Sequence, residues 1–448
     1  MPSLLEEAYL VPFEDRFLVH APLHGVTTLV NGAIAMELRD CLKAGRLNGV
    51  SATARPLAEA LLGREARVPA IRSGPFSPGS VSLLPTTDCN LRCLYCAPGA
   101  GGAGSLYMPK QVCDAALQYQ AEIVRRDGLK KLGVYYFGGE PFVAWELVQH
   151  CDKRGRELAA GLGVPFDVNC TTNAFMSETH ARWVARHISF ALVSLDGPAE
   201  LNDFYRPTRK GLGTYHIIER TLRVFENEVL PYALRCSVDD RIVKRLPEIV
   251  DFYCSKFKPT KINLEPLIQH GRCLETGLRS PNPAAFVRGI VEAGKAARQN
   301  GVPLKLTTAQ TERLAQSNCP VAQDNFVVAP DGLVAACYGA NHRGSVHSAD
   351  YAIGEVNPAT CQVHIDQDKV ERVRSYAVAN IPRCKGCFAK WHCSGGCRLF
   401  HTPPFCAEPP QPMCWVTQKL TLWRILEQLT LFDEADRVGL ETEEVAYA

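Results

Sequence analysis

From residue 81 to residue 300 the chain alternates short runs rich in β-branched and aromatic residues with longer segments whose apolar positions recur at helical spacing. Strands are predicted over 81–85, 131–137, 166–171, 189–195, 232–238 and 261–266, and helices over 109–126, 141–162, 177–186, 214–227, 246–257 and 283–300. Six βα units in series require a parallel sheet with right-handed crossovers. The expected class is α/β, a partial (β/α)6 TIM-like barrel over 80–300 with its active site at the carboxyl ends of the strands. Ahead of it, 9–62 reads strand, strand, strand, helix, with Gly25, Asn31 and Gly32 as turn signals, so 1–72 is expected to be a small module of its own. Gly74, Pro75, Pro78 and Gly79 mark 71–79 as a linker. Beyond 300 the periodicity fades while cysteine, glycine and proline rise, which predicts a loop-rich domain over 301–448 held by metal. Within it Leu420, Trp423, Leu426, Leu429 and Leu431 form an amphipathic helix that reads as a docking element, not a membrane anchor.

Composition narrows the setting. The 448 residues carry 49 basic and 47 acidic side chains, a net charge of +2 that gives no reason to expect nucleic acid. The acidic stretch 1–15 lacks a signal-peptide pattern, and no long apolar run suggests a membrane, so a cytoplasmic protein is expected. In a reducing compartment its 19 cysteines are not disulfide partners, and spacing decides their use. Six of them fall between Cys384 and Cys414, and three more are Cys89, Cys93 and Cys96.

The run TTDCNLRCLYC sets Cys89, Cys93 and Cys96 at Cys-x3-Cys-x2-Cys directly after the first predicted barrel strand. Zinc usually completes a tetrahedron with four protein ligands, whereas three cysteines on one loop leave a corner of an iron–sulfur cube open. After the second strand, YYFGGEP supplies backbone room and N–H groups at Gly138 and Gly139 and a carboxylate for an ammonium at Glu140. The third strand ends with Thr172 and Asn173, the fourth with Ser194 and Asp196, groups able to hydrogen-bond ribose hydroxyls or to serve as turn chemistry. Arg206 and Arg235 are candidates to meet a carboxylate, with a surface salt bridge as the alternative. His392 reads as a neighbour of the cysteines, not a ligand.

The three-cysteine spacing with Tyr95 before the last thiol resembles the radical SAM superfamily, and Gly138–Gly139–Glu140 resembles its GGE motif. The resemblance implies a 4Fe-4S cluster whose open iron chelates S-adenosyl-L-methionine. It places Tyr95, the GGE residues, Thr172, Asn173, Ser194, Asp196, Arg206 and Arg235 around that cofactor. It also implies a 5′-deoxyadenosyl radical and an electron donor such as flavodoxin or ferredoxin.

Cys319, Cys337 five residues after Gly332, Cys384-x2-Cys387-x5-Cys393-x3-Cys397 and Cys414 resemble the seven-cysteine pattern of the SPASM domain. That resemblance implies two auxiliary 4Fe-4S clusters, a distal one on Cys384, Cys387, Cys393 and Cys414 and a nearer one on Cys319, Cys337 and Cys397. The nearer set is one thiol short, which leaves its last position to Cys361, to Cys406 or to an open iron that a peptide thiolate occupies. Cys406 is equally an alternative to Cys414.

SPASM enzymes often modify peptides, and the strands FLVHAPL and GVTTLVN with the following helix resemble a small winged-helix-like leader-binding module, the RiPP recognition element. Such a module holds an extended leader by adding it to a sheet edge; an amino-terminal cap on the barrel is the alternative. Sulfatase-maturating enzymes share the architecture and carry an Asp after the cysteine equivalent to Cys337. Tyr338 stands here instead, which argues against formylglycine formation and makes Tyr338 a candidate in proton transfer. The expected function is a maturase that installs a thioether or carbon–carbon crosslink on a ribosomally made precursor peptide. The competing readings are sulfatase-maturase-like oxidation, small-molecule radical chemistry, and a non-catalytic iron–sulfur scaffold, against which the intact cofactor residues speak.

Overall fold

The computed structural model describes residues 7–102, 104–401 and 412–438. They form two compact units that cut across chain order: one holds 7–71, 308–319 and the described part of 375–438, the other 72–307 and 320–374.

The first unit opens with an antiparallel sheet of β1 (Tyr9–Phe13), β2 (Arg16–Ala21) and β3 (Val26–Asn31) in that order. Val19, Ala21 and Val26 pack against Leu38, Cys41 and Leu42 of the helix Gly32–Ala44 and against Ala58 and Leu61 of a second helix, Arg55–Gly63. Asn31 caps the first helix by accepting the Ile34 amide at 3.0 Å, and Gly45 ends it with φ +62°, which favours glycine. The second helix, only nine residues long, gave too short a periodic pattern to read. The apolar stripe predicted at 420–432 belongs to the longer helix Pro412–Gln428, which buries Leu420, Trp423 and Leu426. No helix among the described residues is long and apolar enough to cross a membrane.

The second unit is built on one sheet. Its parallel strands are β4 (Val81–Leu83), β5 (Leu132–Tyr136), β6 (Phe166–Thr172), β7 (Phe190–Ser194), β8 (Tyr232–Val238), β9 (Lys261–Pro266) and the short β10 (Leu304–Lys305). They follow one another across the sheet, each crossover from β4 to β9 carrying a helix, as a partial barrel requires. The helix predicted at 141–162 begins as a separate turn, Pro141–Val143, before Trp145–Leu162 continues it.

On the far side of β4 the sheet goes on. β11 (Phe326–Val328) pairs parallel with β4, and β12 (Leu333–Ala335), β13 (Ala352–Asn357) and β14 (Gln362–Ile365) follow antiparallel. The stretch read as loop-rich thus contributes β10 to β14 to the barrel sheet, all but the six-residue β13 too short to show alternation. The predicted linker is tied down as well. Buried Arg374 donates to Asp324 at 2.7 and 2.8 Å and to the Gly74 carbonyl at 2.6 Å, and Asp324 accepts the Ser77 amide at 3.0 Å.

Strand alternation divides the two faces of the barrel sheet. Val134, Val168, Val193, Leu234 and Leu264 are buried on the face that meets the crossover helices. The registers align a polar set on the other, inner face: Ser82 with Tyr135, Tyr135 with Asn169, Ser194 with Arg235, Arg235 with Asn263, and Ser237 with Glu265. A polar inner face beside the carboxyl strand ends is a place to hold a polar substrate.

Candidate active site

The loop after β4 carries Cys89, Cys93 and Cys96 and is fastened from several sides. The Arg92 and Leu94 amides donate to the Pro207 and Tyr205 carbonyls at 2.8 and 2.9 Å. Arg209 donates to the Cys89 carbonyl at 2.7 Å, and buried Arg272 donates to the Cys93 and Ala100 carbonyls at 2.9 and 2.8 Å. Sequence reading missed both arginines, because their role is to satisfy loop carbonyls and no spacing announces that.

Gly138 and Gly139 have a different use from the one expected. Their strand end is pressed against the cysteine loop: a Cβ on Gly138 would lie 2.7 Å from the Thr86 carbonyl oxygen, and one on Gly139 would run into the Asp88 carbonyl. The Gly139 and Glu140 amides donate to those carbonyls at 3.0 and 2.8 Å, so they are spent within the fold and not exposed. Glu140 is 2 % exposed and accepts from Thr172 Oγ1 at 2.9 Å, the Asn173 amide at 2.7 Å and the Phe142 amide at 3.3 Å. Burial raises its pKa to about 7 against these hydrogen bonds. Asn173 Nδ2 in turn reaches Cys89 Sγ at 3.6 Å and Asn90 Oδ1 at 2.8 Å. Thr172 and Asn173, read as ribose contacts or turn chemistry, brace Glu140 and the thiol loop.

On the other side, Tyr95 donates to the buried Asp196 and accepts from Arg206 Nη1 at 2.6 Å. Asp196 also accepts the Ser237 amide at 3.0 Å and lies 3.9 Å from Arg206. Burial raises the Asp196 pKa while the guanidinium pulls against it. Arg206, expected in a loop, ends the short helix Ala199–Tyr205 and is 5 % exposed. Ser194 sits on the inner face in register with Arg235, which faces Glu265; burial lifts the Glu265 pKa and Arg235 opposes it.

These residues fit an iron–sulfur cofactor. Cys89 and Cys93 feel the charge of their neighbouring thiols, and burial pushes Cys89 to about 12 and Cys93 to about 11, so these two ionise readily only with a metal bound. Arg206 Nε is buried with no hydrogen-bond partner while its charge acts on Cys93, an open donor beside the thiols. Among the described residues no three His, Cys, Asp or Glu side chains converge on a single metal ion.

In the first unit, Cys384, Cys387, Cys393 and Cys414 act on one another electrostatically, and burial raises Cys384 to about 11 and lifts Cys393 and Cys414. Gln418 donates to Cys387 Sγ at 3.4 Å. His392 is buried against His20, Nε2 to Nε2 at 3.2 Å, next to Cys393 in the chain. Cys319 and Cys397 belong to this unit and Cys337 to the other. Cys361 sits at the exposed turn between β13 and β14, at the opposite end of those strands from Cys337, which removes it as a companion of that thiol. Cys406 lies outside the described residues. Tyr338, next to Cys337, shares a hydrogen bond of 2.8 Å with Ser82 of β4, and its ring meets those of Phe137 and Tyr135 at 4.7 and 6.3 Å. It therefore stands at the inner face of the barrel sheet.

A three-cysteine loop locked to a glycine-glycine-glutamate turn at the carboxyl edge of a parallel half-barrel defines a cluster-dependent radical enzyme. Residues 83–231 match the model of the Radical SAM superfamily, so the chain carries a radical SAM domain and is an enzyme. It is 23 % identical over 331 residues to the serine-type anaerobic sulfatase-maturating enzyme of Klebsiella aerogenes, covering 69 % of this chain and 76 % of that protein. To the cysteine-type anaerobic sulfatase-maturating enzyme of Clostridium perfringens (strain 13 / Type A) it is 22 % identical over 341 residues, 72 % of this chain and 89 % of the relative. In fold it is similar to native anSMEcpe with bound AdoMet and Cp18Cys peptide, with a TM-score of 0.60 at 16 % identity, covering 79 % of this chain and 98 % of that one.

Proposed function

We propose that the protein is a maturase that installs a crosslink, thioether or carbon–carbon, on a ribosomally made peptide. When bound, the cluster and S-adenosyl-L-methionine supply the hydrogen-abstracting radical. The residues of this chain position them: Cys89, Cys93 and Cys96 hold the cluster, Glu140 and Arg206 flank the cofactor, and the polar inner face receives the peptide. A solved relative in fold carries a bound peptide, and two relatives in sequence are named for maturing sulfatases, which supports a peptide substrate. Cys384, Cys387, Cys393 and Cys414 are proposed to hold one auxiliary cluster, and Cys319, Cys337 and Cys397 another. The three-stranded module at 9–31 is proposed to bind the leader at a sheet edge.

The observation that carries the crosslink over oxidation is Tyr338. The phenol occupies the position beside Cys337, hydrogen-bonded to Ser82, where a carboxylate base would serve formylglycine formation. The sulfatase-maturing names of its relatives favour that oxidation as the second reading. Co-expression with a candidate precursor and tandem mass spectrometry separates them. A crosslinked product is lighter by two hydrogens, ignores a hydrazine probe and yields no fragments between the joined residues. An aldehyde made from serine shows the same mass loss but captures the hydrazine, and that result would replace the crosslink with oxidation.

A further inference from the structure

One row of the barrel's inner face is left unspent by the fold. The strand registers set Ser194 of β7, Arg235 of β8, Asn263 of β9 and Lys305 of β10 side by side, a hydroxyl, an amide and two cations with no acidic side chain between them. Among the described residues the Arg235 guanidinium donates no hydrogen bond and forms no ion pair. Asn263 Oδ1 is buried with no partner, an acceptor that calls for a donor brought by a ligand. Glu265, one row nearer the carboxyl strand ends, does not take the guanidinium: it accepts from the Thr307 hydroxyl and amide, and burial favours its neutral form. The charge of Arg235 also reaches β5, where it acts on Tyr135, whose ring meets that of Tyr338 at 6.3 Å. The thiol loop has cations of its own, since Cys93 feels Arg206 and Arg272.

We propose that Arg235, with Asn263 and Lys305 along its row, sets the substrate specificity of the barrel by binding a carboxylate of the peptide, from an Asp or Glu side chain or from the C-terminus. The inference rests on the peptide-maturase reading. A guanidinium meets a carboxylate through two parallel N–H groups, and Lys305 adds positive charge to the same row. Asn263 Oδ1 takes a backbone N–H of the same peptide segment, the donor it lacks. Arg206, buried beside the thiols with Nε open, is the guanidinium left for the cofactor. β5 and β8 lie three strand spacings apart, about 14 Å along the sheet. An extended peptide covers that in about four residues, so the acidic group falls within about four residues of one that reacts beside Tyr338.

The test takes a full-length precursor that co-expression shows to be modified, labels it fluorescently and measures its affinity for the reconstituted enzyme by anisotropy. Within about four residues of the modified position each Asp is changed to Asn and each Glu to Gln, and in a separate arm the C-terminus is amidated. One of these changes is expected to weaken binding to wild type by about tenfold, a side-chain change naming an acidic residue as the source and amidation naming the terminus. Arg235→Gln should bind the acidic and neutral forms equally, and Arg235→Lys, which keeps the charge, should retain part of the preference. A wild type indifferent to every change, or an Arg235→Gln enzyme with the full wild-type preference, overturns the carboxylate site. An Arg235→Gln enzyme that keeps the preference but binds S-adenosyl-L-methionine more weakly gives the guanidinium to the cofactor and overturns it as well. If wild type modifies no precursor at all, the maturase reading falls instead.

Discussion

Two residues at the end of β5 bear much of the site's geometry. Gly139 has no room for a side chain beside the Asp88 carbonyl, so Gly139→Ala must push the cysteine loop off the strand. Overpacking of this kind costs about 1–3 kcal/mol. The expected outcome is a folded protein that keeps its auxiliary iron and loses the iron bound by Cys89, Cys93 and Cys96, read by iron analysis after anaerobic reconstitution. Glu140 makes a pH prediction for the cluster-free protein. Its folded pKa, about 7, lies above its ordinary 4.5, so the folded chain keeps a proton that the unfolded chain releases. That contribution to stability is complete below pH 4.5 and is lost as pH rises through 7, up to about 3 kcal/mol. Denaturation of wild type against Glu140→Gln across this interval should show wild type losing ground as pH rises; parallel curves would contradict the burial of an ionisable carboxyl.

The elements were legible to the extent that they were long. β8 and β9 begin and end where hydrophobic alternation placed them, and the predicted helices between the barrel strands fall within a residue of their apolar periods, except that the one expected from 141 starts at Trp145. Both patterns arise from burying one face, so the sequence must carry them. β11, β12, β14, Ala199–Tyr205 and Arg55–Gly63 were not legible, since elements this short offer too few residues to establish a period, and β13 buries Ile353 and Val356 three apart, which breaks the alternation. The cysteine loop stood out for a different reason, because three thiols recur at close spacing directly after a strand. Arg272 and Arg209 did not, since a guanidinium closing over a carbonyl from another element leaves no local trace. Tyr338 shows the combination: its place after Cys337 was readable, its bond to Ser82 of β4 was not, because β11 and β12 had first to join the barrel sheet. If its hydroxyl handles a proton of the peptide, Tyr338→Phe should lower crosslinked product about a hundredfold while 5′-deoxyadenosine still forms. A purely structural bond to Ser82 would instead cost about 1 kcal/mol of stability and leave product formation intact. Ser82→Ala provides the comparison.

At the scale of the whole molecule, the chain is not laid out as successive domains. Residues 320–374 complete the barrel sheet, whereas the described part of 375–438 shares a unit with the amino-terminal module, and each unit holds thiols of the proposed auxiliary clusters. Cys384, Cys387, Cys393 and Cys414 are one such group, independent of the barrel loop. The account therefore predicts cluster sites that fill and empty separately. The direct measurement is iron and sulfide content after anaerobic reconstitution of wild type and of a variant with Cys89, Cys93 and Cys96 all changed to Ala. About twelve irons in wild type and about eight in the variant is the predicted result, three 4Fe-4S clusters of which one belongs to the barrel. About four irons in wild type, lost entirely in the variant, would contradict it and leave the carboxy-terminal cysteines without clusters.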